Sequence, residues 1–64
     1  MTYKVRDNST RKFVFNSGSI REATDIAKNL SNELLHVMYI IRDRNGKRCK
    51  VRKIVMNRVV TLAI

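Results

Sequence analysis

The sequence predicts an α+β fold, a small antiparallel sheet in ββαβββ order with one helix packed on one face. Three observations carry this prediction. Asn45-Gly46 separates two apolar-leaning runs within Val37–Val55, and that dipeptide favours a hairpin because both residues tolerate φ > 0. Ser19 and Glu22 form a capping box ahead of an amphipathic stretch. Period-two alternation appears in Tyr3–Arg6 and again in Arg11–Asn16.

The elements follow in chain order. Tyr3–Arg6 reads as a half-buried strand, and Asp7-Asn8-Ser9-Thr10 as a turn whose short polar side chains satisfy the local backbone. Arg11–Asn16 returns as a second strand with Phe13 and Phe15 on one side, both expected in the core. After Ser17-Gly18-Ser19, the residues Ile20, Ala23, Ala27, Leu30 and Leu34 recur at helical spacing, widened by Ile26. Asn29, Ser31 and Asn32 weaken this pattern. The helix is expected over about 19–31, with Asn32 in the left-handed position that ends it, and the next strand over about 35–43. Met56-Asn57-Arg58 is a turn, and Val59–Ile64 is a β-branched-rich run suited to a last strand or to an irregular tail.

Two registers of the central hairpin are open. A two-residue loop sets Arg42 against Cys49, Ile41 against Lys50 and Tyr39 against Arg52, placing Tyr39 among the bases. A three-residue loop, Arg44-Asn45-Gly46, sets Ile41 against Cys49 and Tyr39 against Val51. It gathers Leu35, Val37, Tyr39, Ile41, Cys49, Val51 and Val55 on one face and leaves Met38, Ile40, Arg42, Arg48, Lys50 and Arg52 on the other. The three-residue loop is favoured because it collects more apolar area on one side. In both registers Arg48, Lys50 and Arg52 share a face.

Size and composition bound the class. The 64 residues predict one domain, 1–64, near the lower limit for a self-supporting core. A homodimer that buries further apolar surface is therefore a candidate assembly. The single cysteine excludes an internal disulfide and fits a reducing compartment. No apolar run approaches the roughly 18 residues of a membrane span, and MTYKVRDNST lacks the apolar region of a signal peptide. The cytoplasm, or the interior of a host cell, is the expected location.

Catalysis has little support. His36 and Cys49 are the only residues of their types. In the favoured register Cys49 opposes Ile41, five residues or about 17 Å along the strand from His36, too far for a nucleophile–base pair. Cys49 reads as a small buried residue and His36 as a strand-entry residue. No metal, cofactor or catalytic site is expected, and Asn45-Gly46 is a turn rather than a phosphate loop.

The distribution of charge is the most informative feature. The net charge is +9 overall, with +3 over residues 1–16, −1 over residues 17–35 and +7 over residues 36–64. Bases on alternate strand residues stand about 7 Å apart, a pitch suited to phosphates. Arg42, Arg44, Lys47, Arg48, Lys50 and Arg52, with Lys53 and Arg58 outside them, are the candidate contacts to a nucleic acid, DNA or RNA. With the phenylalanines assigned to the core, contact with a duplex backbone is expected over base stacking. The alternative is a small regulator or inhibitor docking on an acidic protein surface, the kind of role viral proteins play against host enzymes. Its contact surface would be the basic face, the polar helix face (Arg21, Asp25, Lys28) or Val59–Ile64. A membrane-surface role would need a basic amphipathic helix, and this helix is close to neutral.

Overall fold

A computed structural model describes residues 1–63. Its elements are β1 (Thr2–Asp7), β2 (Lys12–Ser17), α1 (Ile20–Leu34), β3 (Met38–Arg44), β4 (Lys47–Val55) and β5 (Arg58–Thr61). The five strands form one antiparallel sheet in the order β2-β1-β3-β4-β5, so the ββαβββ α+β prediction holds. Strand β1 pairs with β3 across the helical connection, bringing Thr2–Asp7 alongside Met38–Asp43.

The helix lies on one face of the sheet. Ala23 and Ala27 meet Val5, Met38, Ile40, Val51 and Ile54 in the core, flanked by Tyr3, Phe15, Ile20, Leu30 and Ala63. Ser19 caps the helix as expected, its Oγ accepting from the Glu22 amide at 3.3 Å. The helix does not end at Asn32. It runs to Leu34 and closes with Leu35 in the left-handed conformation (φ 57°). Two of the three polar residues that weaken its pattern, Ser31 and Asn32, make tertiary contacts instead. Buried Ser31 donates to the His36 carbonyl at 2.6 Å and accepts from the Met56 amide at 2.8 Å. Asn32 Nδ2 donates to Asn57 Oδ1.

The central hairpin departs from the favoured register. Arg44 pairs with Lys47, so the loop is the two residues Asn45 and Gly46, both at positive φ (54° and 83°), as a tight primed turn requires. Asp43 supports the turn by accepting from the Gly46 amide at 3.0 Å. The pairing then shifts, because Ile41 faces Lys50 while Ile40 faces Arg52, leaving Val51 as a bulge. The bulge takes Val51 into the core and also turns Arg52 toward the helix, where its Nη1 donates to Thr24 Oγ1 at 2.8 Å. Arg48, Lys50 and Arg52 therefore do not share a face, and Met38 and Ile40, expected among the bases, are core residues. Cys49 is exposed rather than buried because it lies near the hairpin tip, away from the core cluster.

A second irregularity separates the phenylalanines. Val5 pairs with Phe15 but Arg6 pairs with Phe13, so Val14 is extra. Phe15 packs against the core, whereas Phe13 points to the other side and is 44% exposed. At the far edge β5 spans Arg58–Thr61, which makes Arg58 a strand residue. The tail beyond it is tied to the bulge by Leu62 and Ala63 amides donating to the Val51 carbonyl. Ile64, the last residue of the expected run, lies outside the described residues.

Candidate nucleic-acid interface

The face opposite the helix follows from the register. Lys4 and Arg6 on β1 stand beside Ile41 and Tyr39 on β3, which in turn stand beside Lys50 and Lys53 on β4. Phe13 on β2 extends one row, giving Phe13, Arg6, Tyr39 and Lys53 side by side across four strands. Both rings on this face carry two cations. Phe13 has Lys4 Nζ at 5.5 Å and the Arg48 guanidinium at 5.3 Å from its centroid. Tyr39 has the Arg6 guanidinium at 5.8 Å and Lys50 Nζ at 4.6 Å. Ile41 lies between Lys4 and Lys50 and is only 4% exposed, as expected where long aliphatic stems cover apolar surface.

One carboxylate organises the basic side chains. Asp43 Oδ2 accepts from Arg48 Nε at 3.0 Å, and the Arg48 guanidinium beside it holds its carboxyl below the usual carboxylate range. The same residue thus supports the turn and directs Arg48. Arg6 Nε is buried and has no hydrogen-bond partner among the described residues.

At the hairpin tip, Met1, Arg42, Arg44, Asn45, Lys47, Arg48 and Cys49 line an open concavity of about 580 Å³. The expected contact residues are therefore divided. Arg42, Arg44 and Lys47 line the tip concavity on the same side of the ribbon as Ile40; Lys50 and Lys53 lie on the open face, and Arg48 both lines the concavity and reaches Phe13. Arg58 pairs with Val55 at the outer edge, and Arg52 is engaged with the helix. Lys4, Arg6, Phe13 and Tyr39 were missing from the expected site. Nothing local marks Lys4 and Arg6 for it, since only the β1–β3 pairing, across more than thirty residues of sequence, brings them to the hairpin.

The other polar cluster is at the opposite end of β3. Asp7 is buried, with Oδ2 2.8 Å from His36 Nδ1 and Oδ1 accepting from the Ser9 amide at 2.8 Å. The His36 contact holds the Asp7 carboxyl below its usual range, against the opposing effect of burial. This pair fastens the β1–β2 turn to the entry of β3, whereas Cys49 sits toward the other end of the hairpin. Among the described residues, no three His, Cys, Asp or Glu side chains gather to hold a metal ion, and no helix is long and apolar enough to cross a membrane.

The molecule is thus defined as an α+β protein with one helix-covered sheet face and one open face bearing cations and rings. No protein-family model, curated protein or solved structure matches the chain.

Proposed function

We propose that this chain is a non-enzymatic nucleic-acid-binding protein that contacts phosphates through its basic hairpin and the open sheet face beside it. The observation that carries this reading is the crowding of cations on the hairpin: Arg42, Arg44 and Lys47 line the tip concavity on the helix side of the ribbon, Lys4, Arg6, Lys50 and Lys53 stand on the open face, and Arg48 belongs to both, lining the concavity and reaching the Phe13 ring. Each phosphate neutralised releases counterions, so affinity falls with salt, with a slope of roughly 0.7 to 0.9 per contact on logarithmic axes. Fluorescence-anisotropy titration at several salt concentrations tests this. Arg48→Glu with Lys50→Glu should lower affinity by at least about tenfold and flatten the slope. Arg52→Gln, altering a side chain already bonded to Thr24, should leave the slope nearly unchanged. An unaltered affinity in the folded double variant would overturn the proposal.

A second reading, a regulator or inhibitor docking on an acidic protein, draws on one further feature. The four-residue edge strand β5 and the chain after it expose Val59, Val60 and Leu62 at 37%, 38% and 46%, and an exposed strand edge can pair with another chain. Saturable binding to a purified acidic protein that survives nuclease treatment, without affinity for any nucleic acid, would favour it. The same edge is where a homodimer would form.

A further inference from the structure

Charge alone does not explain the rings on the open face. A protein that only tracks a duplex backbone needs bases, yet Phe13 is turned away from the core by the Val14 irregularity and remains 44% exposed. Tyr39 lies in the same cross-strand row with Arg6 between them, so the order across the sheet is ring, guanidinium, ring, ammonium. Neighbouring strands lie about 4.8 Å apart, which sets the two rings about two strand spacings apart, wide enough to address separate bases. Arg6 stands in the row between the two rings, the position that a backbone joining two stacked bases would cross.

Resting on the nucleic-acid reading above, we infer that the open face binds a single-stranded nucleic acid, with bases stacked on Phe13 and Tyr39 and the connecting phosphates held by Arg6 and its neighbours. Aromatic rings on a basic surface recognise unpaired bases because every base has a π-face, whereas paired bases in a duplex present only their edges. Lys4 and Arg48 lie over the Phe13 ring and Arg6 and Lys50 over the Tyr39 ring. On binding, these side chains exchange a ring for a phosphate and free the ring for a base. A strand that continues round the hairpin tip meets the concavity on the other side of the ribbon, with Arg48, held by Asp43, at that turn.

The test titrates the full chain with labelled oligothymidylate, oligouridylate of equal length, an abasic strand of the same length and charge, and a duplex. The strands that carry bases should bind tightest, with the abasic strand weaker by about tenfold or more. Phe13→Leu and Tyr39→Leu keep apolar bulk and charge but remove the ring. Each should cost about tenfold on the base-bearing strand, leave the abasic strand unaffected and preserve the salt slope. Tyr39→Phe should bind as the parent does. Equal affinity for abasic and base-bearing strands, or tighter binding of the duplex, would overturn the stacking inference and leave the phosphate reading standing. Binding to none of the four would remove both. The abasic comparison uses the unaltered protein, so it decides even if a ring variant fails to fold.

Discussion

The two faces of the sheet solve different problems. On the helix side the polar groups are tied into the fold: Ser31 links the helix to His36 and Met56, Thr24 accepts from Arg52, and Asp7 holds His36 and its own turn. On the open side, Asp43 is the carboxylate that meets a base, and the other close partners of the cations are two aromatic rings. Each of these contacts has a buried member, Ser31, Thr24 or Asp7. A face rich in one sign of charge is held by the strands beneath it, and so its side chains are set by something other than packing. Neighbouring residues Ile40 and Ile41 make the comparison sharpest, since they point to opposite faces and are 0% and 4% exposed.

The largest expected effect separates those two isoleucines. Truncation of a buried isoleucine to alanine costs about 2–5 kcal/mol, depending on how far the surroundings collapse into the space. Ile40 is enclosed by helix and sheet, so Ile40→Ala should cost about 4 kcal/mol, enough to threaten a domain of this size. Ile41 lies between Lys4 and Lys50, whose long stems can settle into the space, so Ile41→Ala should cost nearer 2 kcal/mol. Urea denaturation measures both. Equal losses would mean that the open face is packed as rigidly as the core.

The same isoleucines show where the sequence stopped being legible. Val37–Ile41 is continuously apolar, so its alternation does not say which residues face the helix. The fold class, the element order, the Ser19 cap and the Asn45-Gly46 turn were readable because each rests on local chemistry. The register was not, because the Val51 bulge lets the hairpin keep a tight loop and still bury an extra apolar residue. A two-residue and a three-residue loop each imply one unbroken register, whereas the molecule shifts register between Ile40 and Ile41. The tip bases are legible as a cluster of charge, and a two-residue loop already sets Tyr39 among the bases, while Lys4 and Arg6 require the β1–β3 pairing and Phe13 the Val14 irregularity.

The next effect belongs to Asp7 on the covered side. Asp7→Ala removes an acceptor used by His36 and the Ser9 amide and should cost about 1–3 kcal/mol. The carboxyl is held below its usual range in the folded protein, so it stabilises the fold fully above the unfolded value near pH 4, and that stabilisation disappears as pH falls through the lower folded value. Thermal unfolding followed from neutral pH downward should therefore show a steeper acid decline for the parent than for Asp7→Asn. Parallel declines would show that another carboxylate governs acid unfolding.

Leu35 sharpens the comparison from the helix end. It holds a left-handed conformation with a side chain 71% exposed, so little burial offsets its backbone strain. Leu35→Gly should raise stability by about 0.5–1 kcal/mol, the relief of strain being partly cancelled by the greater freedom of glycine in the unfolded chain. A loss of stability on urea titration would mean that this leucine packs in a way its exposure does not reveal.

The smallest change in stability is expected on the open face. Lys50→Ala removes the ammonium nearest Tyr39, a contact worth about 0.5–1 kcal/mol at an exposed site. It also removes one charge from a chain of net charge +9, relieving self-repulsion. The two effects oppose each other, and the net change should stay within about 0.5 kcal/mol. Raising the salt concentration should enlarge the apparent loss, because screening weakens the relieved repulsion more than the short-range ring contact. A loss well above 1 kcal/mol would place Lys50 among the residues that hold the sheet together. A near-zero change, together with weakened oligonucleotide binding, would mean that this lysine contributes to the face's partner rather than to the fold.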